Sequence, residues 1–135
     1  MTRKFLSVLL DQASQPFLAS GRFAYYYSRG KLGGDCIFPE LLKRGIFPAR
    51  GNFLDLGCGQ GSLFAWLLAA QRLFEQGQWP ADWAPAPKPL SLHGIELMQK
   101  DVARAALAFG VDHPLVRIEQ GDMNHAAIGR PDVIT

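Results

Sequence analysis

Residues 53–62 of the chain read FLDLGCGQGS, a short apolar run that ends in glycines at positions 57, 59 and 61. The stretch that follows, SLFAWLLAAQRLFEQG, keeps an apolar face at helical spacing as far as Gly77. A strand must therefore pass into a helix through backbone that is nearly bare of side chains. Glycine reaches conformations closed to other residues, and a helix start offers unpaired N–H groups at the positive end of its dipole. Such a turn both directs the fold and forms a cradle for a ligand.

The segments after this turn repeat its logic. Residues 78–89, QWPADWAPAPKP, contain four prolines and are expected to be irregular, with Trp79 and Trp83 folding back onto the preceding helix. LSLHGIEL predicts a second strand, and MQKDVARAALAFG a second amphipathic helix closed by Gly110. LVRIEQGD predicts a third strand, and PDVIT opens a fourth. Strands that alternate with helices imply a parallel sheet with right-handed crossovers, so residues 51–135 are expected to form a Rossmann-like α/β domain. Ligands of such sheets bind beyond the carboxyl ends of the strands.

Residues 1–50 predict a helical cap. MTRKFLSVLLDQ has a basic start, but its apolar patch FLSVLL is shorter than the ~7–15 residues of a secretion signal, and a short amphipathic helix in a cytoplasmic protein is expected. QPFLASGRFAYYYSRG suits one helix, with Pro16 in its first turn and Gly30 as its stop. KLGGD is expected to be a loop, and Asp35 to cap a further helix in CIFPELLKRG. The cap is basic, with eight Lys/Arg against three Asp/Glu, whereas residues 51–135 carry six against nine. A basic arm with Tyr25, Tyr26 and Tyr27 could hold nucleic acid, but its charges are spread out. Aromatics packed inward on the main domain are the stronger expectation. No apolar run approaches the ~20 residues of a membrane span.

Three ligand classes use a glycine turn of this kind. A phosphate loop needs a Lys after its glycines, and none is present. A dinucleotide loop, GxGxxG/A, would place Ser62 or Phe64 at its third small position, a poor fit that leaves an NAD-linked oxidoreductase as an alternative. Asp-x-Gly-x-Gly-x-Gly at Asp55, Gly57, Gly59 and Gly61 fits without repair, and it resembles the first motif of class I S-adenosylmethionine-dependent methyltransferases. The resemblance covers roughly residues 50–135. It implies that Glu96, with Leu97 after it, binds the cofactor's ribose hydroxyls at the end of the second strand. It also implies that Asp122 and Met123 meet the adenine at the end of the third. The strand order implied is 3-2-1-4 followed by three more strands, so the fourth strand ends this sequence as a bare edge. An S-adenosylmethionine-dependent methyltransferase is expected, with a truncated cofactor-binding module without catalysis as the alternative. A homodimer formed through that edge or by arm exchange is expected of the chain as it stands.

The segment YYYSRGKLGGDCIFPELL is similar to the lead-in of bacterial methyltransferases encoded beside polyketide or aryl-polyene genes. That similarity implies a small-molecule or carrier-bound acceptor, Lys31 near the cofactor's carboxylate, and Tyr25–Tyr27 along the acceptor pocket. A packed helix with an exposed lysine is the competing expectation. Cys36 and Cys58 form neither a metal spacing nor a disulfide framework, and Cys58 reads as a small filler between glycines. His93 is expected in the core and His113 in a turn, while His125 follows the adenine motif. No catalytic residue and no metal site are assigned.

Overall fold

The computed structural model describes residues 2–135. Four parallel strands form one sheet in the order β3-β2-β1-β4, namely β1 (Arg50–Leu56), β2 (Lys88–Glu96), β3 (Val116–Gln120) and β4 (Val133–Ile134). The helices are α1 (Thr2–Ser14), α2 (Arg22–Gly34), α3 (Ile37–Lys43), α4 (Ser62–Glu75) and α5 (Gln99–Phe109), with a 3-10 segment over Gln15–Ser20. This is a Rossmann-like α/β fold with a helical cap at its N-terminus.

Register explains which face of the sheet carries the core. Phe53, Leu92, Val116 and Val133 align across the four strands, and Leu54, His93, Arg117 and Ile134 align on the opposite face. The first row packs against Phe64, Leu67 and Leu73 of α4 and against Leu9 and Ala13 of α1. Each buried leucine or phenylalanine there contributes about 1.5–3 kcal/mol. Residues from 1–50 and from 51–135 thus share one cluster, with Leu32, Phe38, Leu42 and Phe47 of the cap inside it. Right-handed crossovers put α4 and α5 on this face, and the link 121–132, which returns across the sheet to β4, on the other.

The proline-rich segment folds back as expected. Trp79 packs edge-on against Phe5 of α1 at 5.4 Å, Phe74 of α4 at 5.7 Å and Trp83 at 5.6 Å between ring centres. Trp83 is buried, and the indole N–H of Trp79 donates to the Ala84 carbonyl at 2.9 Å. The segment ties α1 to α4. It also enters β2 two residues early, since Lys88 N–H donates to the Ala49 carbonyl at 2.8 Å. Pro89, which has no N–H to give, sits where the β1–β2 register slips between Gly51 and Asn52.

The cap departs from expectation in three ways. The helix expected over residues 15–30 is broken at Gly21, whose φ of 100° closes the 3-10 segment and opens α2. Gly30 does not stop the helix, and KLGG belongs to it rather than to a loop. Gly33 serves packing: a Cβ there would lie 2.9 Å from Cδ2 of Leu10 on α1. The third departure is that α2 buries its small side chains, Ala24 and Ser28 with Leu32, while Phe23, Tyr26 and Tyr27 are exposed. α2 lies too near the glycine turn for rings to fit between them. His93 is likewise half-buried rather than in the core, because it lies on the sheet face opposite the helices and bonds Glu119 on β3 at 2.8 Å. Among the described residues no helix is long and apolar enough to cross a membrane.

Candidate ligand-binding site

Gly57, Gly59 and Gly61 have φ values of 75°, 60° and 90°, the left-handed region that a side chain disfavours. Their surroundings separate their roles. A Cβ on Gly57 or Gly59 would meet nothing within 4 Å, so bare backbone faces open space at both. A Cβ on Gly61 would lie 2.7 Å from Cε2 of Phe109 and 3.0 Å from Cδ1 of Ile118. Gly61 therefore seats the start of α4 against α5 and β3, and open backbone remains at the other two.

Glu96, at the end of β2, is buried and holds the turn in place. Its Oε1 accepts the Gly59 N–H at 2.9 Å, and its Oε2 accepts the Met98 N–H at 2.7 Å. Gly57 N–H donates to the Ile95 carbonyl at 2.8 Å. A carboxylate accepting two backbone N–H groups forms strong, charge-assisted bonds, and each oxygen keeps a lone pair for a further donor. Close approach of β2 to the turn needs Gly94, where a Cβ would stand 2.5 Å from Sγ of Cys58. Nothing in the sequence pattern singles out Gly94.

Asp55 is half-buried at the end of β1 and accepts the Thr135 hydroxyl at 3.0 Å. Burial raises its carboxyl above the usual carboxylate range and the charge of Glu96 adds to this, while the Thr135 hydrogen bond and the ammonium of Lys31 pull it down. Lys31, exposed on α2, thus directs its charge toward the turn. The Cys58 thiol is pushed up to about 12, chiefly by burial and then by the Asp55 and Glu96 carboxylates. It is a filler and not a nucleophile.

Asp122 and Met123 lie just past β3, both exposed. Gly121 N–H donates to the Glu96 carbonyl at 3.0 Å, which fixes the ends of β2 and β3 side by side. One carboxylate oxygen of Asp122 accepts the Asn124 N–H at 2.9 Å, and the other stands 3.9 Å from Nε2 of the exposed His125. Leu97 is exposed at the end of β2, beside Glu96. All eight residues singled out by the sequence therefore lie in or beside the turn at the carboxyl ends of β1, β2 and β3. His113 is a turn residue as expected, with its Nδ1 accepting the Leu115 and Val116 N–H groups at 3.0 and 3.1 Å. Among the described residues no group of three or more His, Cys, Asp or Glu side chains is arranged to hold a metal ion.

One part of the site was not legible in the sequence. The buried Gln60 side chain donates from Nε2 to the Ala24 carbonyl at 2.8 Å and to the Ser28 hydroxyl at 2.6 Å. Ser28 in turn meets Ser62, the first residue of α4, at 2.7 Å. This network fastens α2 to the glycine turn. Its members lie far apart in sequence and share no periodicity, and Gln60 reads there only as a spacer between glycines. No protein-family model matches the chain, and no curated protein matches it.

Proposed function

We propose that the chain is the cofactor-binding part of an S-adenosylmethionine-dependent methyltransferase, acting on a small-molecule or carrier-bound acceptor. The observation that carries this reading is the division of labour in the turn: open, left-handed backbone at Gly57 and Gly59, pinned by the Glu96 carboxylate. The close-packing position falls at Gly61, two residues after Gly59. A dinucleotide turn would need it three residues after, where the buried Ser62 is instead engaged with Ser28.

The residues present fit this cofactor. Gly57 and Gly59 leave room for its methionine end, and the free lone pairs of Glu96 suit its ribose diol. The second oxygen of Asp122, which accepts no hydrogen bond from the described residues, suits its adenine, with Leu97 and Met123 nearby. When bound, the cofactor supplies an electrophilic methyl group on sulfonium, and the chain's own task is to bind and orient it. The exposed Tyr26 and Tyr27, one turn before Lys31 on α2, offer an aromatic surface to an acceptor. Two free thiols accord with a cytoplasmic setting.

Calorimetry with S-adenosylhomocysteine and, separately, with NADH tests the reading. Binding of the first and not the second is expected, and Glu96→Gln should weaken it by about 1.5–3 kcal/mol, the worth of hydrogen bonds to a charged acceptor. Binding of NADH alone would replace the reading with an oxidoreductase. Cofactor binding without methyl transfer to any acceptor would leave a binding module.

A further inference from the structure

The edge of the sheet at β3 carries a pattern that fits a second copy of itself. Leu115 accepts from the Leu92 N–H and Gly121 donates to the Glu96 carbonyl, so the odd-numbered residues of β3 turn their backbone groups toward β2. Val116, Ile118 and Gln120 turn theirs outward, where the described residues form no further strand. The Val116 N–H is already held by His113, which leaves the N–H groups of Ile118 and Gln120 and the outward carbonyls unpaired by sheet.

We propose that this edge joins a second copy of the chain as an antiparallel β3–β3 pair centred on Ile118, making one continuous sheet. About such a centre, Ile118 exchanges two hydrogen bonds with its counterpart. The Gln120 N–H groups reach the carbonyls of the opposite Val116 residues. Arg117 then stands directly across from the second copy's Glu119, and Glu119 across from its Arg117. Both lie on the same sheet face, at the close spacing of non-hydrogen-bonded antiparallel pairs.

The charge pattern selects this arrangement. A parallel, in-register pair would oppose Arg117 to Arg117 and Glu119 to Glu119. Within one copy Arg117 and Glu119 meet at 3.2 Å, and Glu119 also bonds His93 at 2.8 Å. Both side chains, half or more exposed, keep further donor and acceptor atoms for a partner across the edge. Charged residues usually blunt an edge strand, but alternating signs about a central apolar residue are self-complementary. On the other face, a cavity of about 360 Å³ with a mixed lining runs between α5 and this edge, its apolar part formed by Val102, Phe109, Val116 and Ile118. Val111, 85% exposed, stands at its rim. The second copy covers it. The opposite edge, β4, is only two residues long and has no such pattern.

Light scattering after size exclusion, over a wide concentration range, reads the outcome. The chain should form a dimer, and Arg117→Glu, which sets like charges opposite at both symmetric sites, should raise its dissociation constant about tenfold. Arg117→Glu combined with Glu119→Arg should restore the wild-type value. If circular dichroism shows Arg117→Glu unfolded, Glu119→Arg alone sets the same repulsion and should give the same tenfold loss. A wild-type chain that stays monomeric, a dimer indifferent to charge reversal, or a double variant that fails to recover would overturn the proposal. So would a dimer dispersed by Ile134→Lys on β4 but not by Arg117→Glu.

Discussion

Two glycines two residues apart in one motif should respond differently to the same methyl group. Gly59→Ala places a Cβ in open space at a φ of 60°, so the expected loss of stability is about 1–2 kcal/mol, from backbone strain alone. Binding of S-adenosylhomocysteine should nevertheless be lost if the ligand lies against that backbone. Gly57→Ala should behave alike. Gly61→Ala adds overlap with Phe109 and Ile118 to the same strain and should destabilise the fold more than either, as urea unfolding would show. Equal losses of stability in Gly59→Ala and Gly61→Ala would contradict the division of roles. Asp55 makes a second prediction. Its carboxyl is raised in the folded state, so the folded chain binds that proton more tightly than the unfolded one. The corresponding stability is fully present below the unfolded value of about 4 and is lost as pH rises through the folded value. Asp55→Asn keeps an acceptor for Thr135 and removes the charge, so it should unfold at a higher temperature than wild type at neutral pH. The difference should disappear in acid. A lower melting temperature at neutral pH would show that the buried charge is held favourably.

At the scale of elements, the strand–helix alternation after residue 50 was legible because each segment carries its own period and its own glycine stop. β1, α4, β2, α5 and β3 all appear in the order and place the pattern puts them, apart from the early start of β2. The cap was less legible, for a physical reason. Gly30, Gly33 and Gly34 look like helix breakers, yet α2 runs through all three, and at Gly33 close packing against Leu10 of α1 favours the absence of a side chain and overrides propensity. Tyr26 and Tyr27 misled in the same way, since hydrophobicity predicts burial but the buried face of α2 is taken by Ala24, Ser28 and Leu32, while Tyr25 does pack inward beside Phe17 and Ala65. The site followed a similar divide: the glycines and acids were readable as a motif, but Gln60, Ser28 and Gly94 act through contacts that no local spacing records. Trp79 and Trp83 were readable as aromatics bound to pack, though not their partner α1. Trp83→Ala should cost about 3–5 kcal/mol in urea unfolding, because it empties a buried position and removes edge contacts with Phe5 and Trp79. A loss below about 1 kcal/mol would show the segment to be an ornament on the surface rather than a tie between α1 and α4.

For the whole molecule, the shared core means that cap and sheet should unfold together. The Gln60 network carries that unity into the site itself. Because one amide bridges α2 and the glycine turn, any ligand that quiets the turn also restrains a helix it need not touch, and the two become thermodynamically linked. The sharing is incomplete, since among the described residues Oε1 of Gln60 is buried with no hydrogen-bond partner, a liability of about 1–3 kcal/mol. Hydrogen exchange would make this visible. With S-adenosylhomocysteine bound, amides of Arg22–Gly34 should exchange more slowly than in the free chain. In Gln60→Ala the slowing should stop at the turn. If α2 is protected equally in both, the link runs through the core instead. If the junction transmits, the cap is a reporter of occupancy, and its aromatic outer surface is a place where a bound and an empty molecule differ to whatever they meet.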